Sequence, residues 1–457
     1  MMNNYTNLPV RQKLFFETEK TKDLIFRKKQ IKILSVVLKS NEKLLLEALR
    51  TDLHKSEFET FATELAIIYA EIREAIKKLN NWAKPKRVAT NLPNLPGASF
   101  VLPEPFGTTL IIGAWNYPYL LCLGPLIGAM AAGNTVILKP SELTPTCSAA
   151  MAKILNENFD PGYLHVVEGG IPETTELLKQ KFDYIFFTGS TRVGKIVYKA
   201  AAENLTPVTL ELGGKSPCIV EKDAPLKVTA KRITWGKFIN AGQTCIAPDY
   251  LLVHESVKDE LLGNIRQYIK EFYGENPKNS PDYLRIVNAP NFARLAGMIE
   301  KEKVFTGGET DASDLYISPT ILQNVTWDDL VMQDEIFGPI LPVITYKTLD
   351  EVIPQITKRP KPLALYLFTK NKKIQKRVLN QVSFGGGTLN DTIMHISNDN
   401  LPFGGVGESG IGGYHGKAGF DTFSHHKSIM KRATWIDIPL KYPPYSSGKL
   451  NLVKKVL

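Results

Sequence analysis

From Gly107 onward short apolar runs alternate with helix-forming stretches, and this alternation restricts the possible folds more than any other feature of the chain. TTLIIGA, TVILKP, YLHVVEG and YIFFTG begin at Thr108, Thr135, Tyr163 and Tyr184. Each precedes a stretch of helical pattern: a segment holding Cys122, then residues near 146–157, near 173–180, and from about Arg192. Strands alternating with helices return to their sheet by right-handed crossovers, which predicts a parallel sheet of the dinucleotide-binding sort. A second series, SPCIVEKD, DYLLVHES, ILPVITY, LALYLFT and GGGTLND, begins near Ser216 and predicts another α/β core. A length of 457 residues agrees with more than one domain. No fixed-period repeat interrupts the pattern.

Upstream, apolar residues recur at helical spacing between about Asp23 and Leu79. Ile31, Leu34, Val37 and Leu38 form one set, and Leu65, Ile68, Ile72 and Ile76 another; together they predict several amphipathic helices. The Pro- and Gly-punctuated stretch from Ala83 to Pro105 excludes helix and permits short strands or a hairpin, as in an arm between cores. The piece from about Gly412 reads as a packing arm or tail. The first residues, MMNNYTNLPVRQKLFF, contain no apolar core followed by a cleavage site, and no run of 18 apolar residues occurs, so a cytoplasmic location is expected. The most apolar stretch, Tyr119 to Ala132, is too short to span a bilayer and reads as a buried helix.

Composition narrows the function classes. The formal charge of +10 raises the question of nucleic acid, but Lys and Arg are scattered and no nucleic-acid signature is present. A solvated basic surface is the plain reading, and attraction to anionic membranes the sharper one. Cys122, Cys147, Cys218 and Cys245 lack ligand spacing, which argues against a structural metal or a disulfide framework.

Several short motifs could carry chemistry. In TVILKPSE, Lys139 and Glu142 follow a strand, where an acid can accept from a ribose diol; a strand-end ion pair is the alternative. In FFTGSTRVGK, Gly189 permits close backbone approach and Ser190 can cap a helix whose N-terminus favours an anion; an ordinary strand-to-helix turn has the same look. Glu211 precedes two glycines and, if partly buried, could serve as a general base, or be structural. Cys245 in GQTC lies in a loop among polar and glycine neighbours, whereas the other three cysteines read as inert apolar residues. A reactive thiol there requires a lowered pKa or an adjacent base. Asn116 in WNYP follows an apolar strand and could donate to an oxyanion, or simply form a turn. EIFGP (Glu335 to Pro339) and LPFGGVGESGIG (Leu401 to Gly412) could shape a pocket or be plain turns.

The order and wording of these motifs resemble the aldehyde dehydrogenase superfamily from about residue 15 to 430. GQTCIAPDY and GGYHGKAGFDTFSHHKS make the chain look most like the class 3 branch of fatty, medium-chain or aromatic aldehyde dehydrogenases. The resemblance implies two doubly wound α/β domains, a Rossmann-like cofactor domain (1–83 and 106–211) and a catalytic domain (212–412). An oligomerisation arm and tail (84–105 and 413–457) would complete a homodimer. By motif, Cys245 is the implied nucleophile, Glu211 the general base, and Asn116 with the Cys245 N–H the oxyanion hole. Lys139 and Glu142 would meet the adenine-side ribose, and Gly189, Ser190 and Gly194 the pyrophosphate, with Thr188 also among the cofactor-binding residues. Leu212 would lie by the nicotinamide, and Glu335 and Phe337 by its ribose and ring. Tyr117, Trp235, Ile239 and Phe403 would line an aldehyde tunnel, with Trp235 and Ile239 sharing a helix face. The implied cofactor is NAD, with NADP allowed, and no metal is required. Some fatty aldehyde relatives end in a membrane anchor; SSGKLNLVKKVL is expected to be no spanning anchor, which leaves weak peripheral contact through a basic tail. A CoA-acylating relative and a catalytically inert NAD-binding homologue are the rival readings, and an intact Glu211 and Cys245 speak against them.

Overall fold

Both alternating series form parallel sheets in the computed structural model, which describes residues 7–456. Residues 1–6, part of the stretch read as carrying no cleavable leader, and Leu457 lie outside the described residues. The first sheet runs, edge to edge, Gly410–Ile411, Val208–Glu211, Tyr184–Thr188, Thr108–Ile112, Thr135–Lys139, Leu164–Val166. Every pairing is parallel except the first, where Gly410–Ile411 lies antiparallel to Val208–Glu211. Chain order reverses between Tyr184–Thr188 and Thr108–Ile112. Such a reversal leaves a crevice at the carboxyl ends of the two strands, because their following helices pack on opposite faces.

The second sheet has seven strands, in the order Val304–Thr306, Thr320–Leu322, Ile340–Tyr346, Tyr250–His254, Pro217–Val220, Ala364–Phe368, Gly386–Leu389. Only the edge strand Val304–Thr306 is antiparallel. Thr108–Ile112, Thr135–Lys139 and Tyr184–Thr188 of the first sheet and Pro217–Val220 and Ala364–Phe368 of the second are buried along their whole length. This is why they read as unbroken apolar runs rather than alternating ones.

The N-terminal helices Leu24–Ser40, Glu42–Leu53 and Ala66–Trp82 bury the predicted stripe: Ile31, Leu34, Leu38, Leu65 and Ile68 are sealed, and Ile76 packs at the rim. Asp23 starts the first of these by accepting from the N–H groups of Ile25 and Phe26. Just before Ala66–Trp82 the chain makes a π-helical turn, Phe61–Leu65, that turns Glu64 into the interior. Leu120–Ala132 is the expected buried helix, sealed at every position despite Pro125. The 83–105 stretch forms the strands Lys86–Val88 and Gly97–Pro105, and its only helical feature is a three-residue turn, Leu92–Asn94. Gly97–Pro105 pairs without a break along Ser424–Arg432, from Pro105 opposite Ser424 to Gly97 opposite Arg432.

Candidate active site

Two loops, the one after Thr108–Ile112 and the one before Tyr250–His254, are tied together around Cys245. Thr108–Ile112 leads directly into Asn116, which is 2% exposed and whose Nδ2 donates to the Gln243 carbonyl at 3.0 Å. The Tyr117 hydroxyl shares a 2.8 Å hydrogen bond with the Thr244 hydroxyl. The loop after the first strand is therefore tied to the two residues that precede Cys245.

Cys245 is reached through the helix Leu226–Phe238 and a tight turn, Ile239–Gly242, in which Asn240 and Ala241 adopt left-handed φ of 53° and 51°. Cys122, Cys147 and Cys218 are buried, while Cys245 is half-buried. Burial pushes its thiol well above the ordinary range, and the carboxylates of Glu335 and Glu211 add to the rise. The N–H groups of Cys245 and Ile246 pull the other way, but the balance stays upward. The protein's own groups thus supply no lowered thiol pKa, so ionisation of this sulfur calls for a base or an incoming positive charge.

Glu211 ends the strand Val208–Glu211 and is 2% exposed. Its carbonyl accepts from Gly189 N–H at 3.0 Å, which fixes the backbone, yet neither carboxyl oxygen has a partner among the described residues. Burial alone holds its pKa well above the carboxylate range. A carboxyl that parts reluctantly with its proton is a correspondingly strong base once ionised. Glu335 is half-buried, and its Oε2 occupies the space beside Gly213 where any Cβ would stand 2.1 Å away. Burial and the neighbouring Asp249 raise Glu335 to about 8, against the Gly214 N–H, Lys215 and Arg294. Phe337 has a left-handed φ of 51° and sets its ring edge-on to Trp115 at 5.4 Å. Leu212 is buried, with its N–H on the Ser409 carbonyl at 3.1 Å.

On the other side of the crevice, Lys139 is buried, donates to the Pro140 carbonyl at 2.8 Å and pairs with the exposed Glu142 at 3.3 Å. The ion pair weighed from sequence is therefore present. Ser190 caps Thr191–Ala202, accepting from Val193 N–H at 3.4 Å; Gly194 is buried in that helix, and Gly189 sits at the turn before it. The Thr188 hydroxyl is buried without a partner among the described residues. A cleft of about 610 Å³ next to these elements is lined by Thr191, Gly213, Lys215, Glu335, Lys361 and Glu408, among others.

Tyr117, Ile239 and Phe403 share one apolar cluster. The expectation that Trp235 and Ile239 share a helix face needs correction. The helix ends at Phe238, and Ile239 leaves the helical backbone even though its N–H still closes onto the Trp235 carbonyl. Ile239 is 6% exposed and Trp235 37%. Phe403 is stacked on His395 and meets Tyr414 and His415 edge-on. Sequence reasoning passed over several polar side chains that the fold buries nearby. Lys237 has no partner for its ammonium among the described residues, and burial lowers it to about 8. Tyr414, whose hydroxyl is likewise without a partner among them, feels the charges of Glu211 and Cys245. His415 bonds the buried Glu71. Only the helical spacing of Lys237 next to Trp235 could have hinted at it; for Tyr414 and His415 the sequence carries no signal beyond their aromatic run.

The profile described as "Aldehyde dehydrogenase family" matches residues 17–429. The chain belongs to the aldehyde dehydrogenase family. It is 53% identical over 444 residues to 4,4'-diaponeurosporen-aldehyde dehydrogenase of Staphylococcus aureus (strain NCTC 8325 / PS 47), covering 97% of this chain and 96% of that one. It is 48% identical over 438 residues to aldehyde dehydrogenase family 3 member A2 of Pongo abelii, covering 95% and 90%. The solved structure described as the substrate-bound state of Staphylococcus aureus AldH superposes with a TM-score of 0.97 at 52% identity, covering 99% of both chains. The chain is thus an aldehyde dehydrogenase of the class 3 type, an oxidoreductase of a family that oxidises aldehydes with NAD(P). The α/β fold with parallel sheets expected from sequence is the fold of this family. Among the described residues, no helix is long and apolar enough to cross a membrane.

Proposed function

We propose that this aldehyde dehydrogenase oxidises aliphatic, medium- or long-chain, or aromatic aldehydes to carboxylic acids through a thioester on Cys245. The observation that carries the reading is the half-buried thiol flanked by two partly or wholly buried carboxyls, with the Asn116 amide tied to its own loop. The sulfur attacks the aldehyde carbon, and the oxyanion that forms is held by Asn116 Nδ2 and the Cys245 N–H. Asn116 already spends one amide hydrogen on Gln243 O, so the second is free for that purpose. After oxidation, Glu211 takes a proton from the water that cleaves the thioester. Its isolation from hydrogen-bond donors keeps its basicity high. The apolar cluster of Tyr117, Ile239 and Phe403, with the open face of Trp235, suits an apolar substrate.

The first sheet fits a dinucleotide. The Thr188 hydroxyl is buried and wants a partner among the described residues, and a twelve-residue helix opens at Ser190. Lys139 and Glu142 would hold the adenine-side ribose, Thr188, Gly189, Ser190 and Gly194 the pyrophosphate, and Leu212, Glu335 and Phe337 the nicotinamide end. When bound, this group supplies the hydride acceptor. The exposed Glu142 carboxylate repels a 2′-phosphate, so NAD is the preferred form; steady-state kinetics giving NADP an equal or larger kcat/KM would defeat that preference. For the reaction itself, Cys245→Ala should abolish NADH formation, and intact-mass measurement of the wild-type protein with aldehyde and NAD should show an acyl adduct on Cys245. Turnover persisting in the variant would rule out the assignment.

A further inference from the structure

Beside Asn116 and Tyr117, one more side chain, Asn240, joins the two loops that meet at the thiol. Its Nδ2 donates to the Asn116 carbonyl at 3.0 Å and to the Gln243 carbonyl at 3.0 Å. Gln243 O is the same oxygen that accepts the Asn116 amide. The two carbonyls dictate which way the Asn240 amide faces, because the flipped amide would set its oxygen against both. Asn240 is fully buried and left-handed, with φ 53°, a conformation that asparagine tolerates better than most residues but that still has to be held.

The hold comes from the far end of the sequence. Glu59 Oε1 accepts the Asn240 N–H at 2.9 Å. Glu59 lies on Glu57–Thr60, immediately before the π-helical turn Phe61–Leu65. In that turn Glu64, sealed from solvent, pairs with the sealed Lys55 at 3.3 Å and accepts the N–H groups of Tyr119 at 2.8 Å and Leu120 at 3.1 Å. One short N-terminal segment therefore grips both loops. Glu64 holds the loop that carries Asn116, and Glu59 holds the turn that leads to Cys245. Turns of this π type are enriched at functional sites, and here the turn directs a buried carboxylate into the gap.

We propose that Asn240, seated by Glu59, is a positioning residue that aims the free amide hydrogen of Asn116 at the oxyanion on the carbon bonded to Cys245. The proposal rests on the roles given above to Asn116 and Cys245. As long as Gln243 O stays in place, the Asn116 amide cannot rotate, and Asn240 is what keeps Gln243 O and the Asn116 backbone in register. Releasing that register by about 1 Å would misdirect the donor without touching the sulfur, an error that can cost on the order of a hundredfold in rate.

Asn240→Gly deletes both donors and keeps the left-handed backbone without steric cost. Glu59→Ala removes the acceptor, and Glu59→Gln restores one. The readouts are the single-turnover rate of NADH formation, the KM for aldehyde, and the rate at which iodoacetamide alkylates Cys245. N240G and E59A are expected to lower the single-turnover rate by about 30- to 100-fold. Their KM and alkylation rates should stay within roughly threefold of wild type, and the E59Q single-turnover rate should do so too. The proposal is overturned if N240G and E59A form NADH at the wild-type rate, or if E59Q falls as far as E59A. It is equally overturned if alkylation of Cys245 falls in parallel, which would mark collapse of the loop instead of a misaimed donor. Should N240G not fold, the E59Q and E59A pair decides. Failure of the underlying roles would look different, since Cys245→Ala protein would then still form NADH from aldehyde.

Discussion

Glu335 shows how much of this site is decided by surroundings that the motif does not contain. Its place before Phe337 was legible in EIFGP, but its crowding against Gly213 and the charge of Asp249 come from chain segments far away in sequence. In the folded chain it keeps its proton up to about pH 8, while an unfolded chain releases it near 4.5. Folding therefore takes up a proton in that window, and the contribution of this group to stability falls as pH rises through it. Glu335→Gln removes the penalty. The variant should melt roughly 2–5 °C above wild type at pH 9 and show no gain at pH 4.5, by calorimetry across the range. A gain that is the same at every pH would mean that the carboxyl is not titrating there. Cys245 teaches the converse lesson. Its neighbours in GQTC suggested an approachable thiol, and Cys245 is half-buried where the other three cysteines are buried; of the two routes to reactivity weighed from sequence, a lowered pKa is not supplied by the chain, which leaves an adjacent base.

At the scale of elements, the strands that read most clearly were those buried on both faces, since an apolar run such as TVILK has one reasonable fate. Val208–Glu211 and Thr320–Leu322 are short and broken by polar residues, and the two-residue strand Gly410–Ile411 sits in a glycine loop, so none carried a periodic signal. The helix Leu8–Glu17 was also missed. It has almost no amphipathic stripe and is anchored by a polar residue, Gln12, whose amide donates to the Val136 carbonyl at 2.7 Å. The turn Ile239–Gly242 was invisible as well, although it delivers the thiol. Gly242 has φ 71°, and a Cβ there would stand 2.3 Å from the Gly338 carbonyl oxygen, so turn and loop touch backbone to backbone. Gly242→Ala combines a left-handed side-chain residue, about 1–3 kcal/mol, with that collision. It should lower the melting temperature by several degrees and reduce activity with it; an unchanged melting curve would show that the two backbones are not so closely set.

Over the whole molecule, the alternation of strands and helices was enough to anticipate two α/β cores, because each unit is specified locally. What joined them was not legible. The N-terminal helices and one face of each of the two sheets share one apolar cluster from Ile31 to Phe423. It is crossed by buried polar bonds such as Glu59 to Asn240 and Asn134 to the Phe423 carbonyl, each spanning more than a hundred residues. Pairings over such separations leave no periodic trace, since either partner alone reads as an ordinary polar residue.

The unequal burial of the four sulfurs has a practical consequence. Three are sealed inside packed helices and strands, and one is half-buried. Native protein given a chromogenic disulfide reagent should release one equivalent of chromophore per chain, and four once denatured, with prior aldehyde and NAD suppressing only the first. A native count above one would mean that the interior opens on the timescale of labelling. A count of one turns a simple absorbance reading into a census of competent molecules in any preparation.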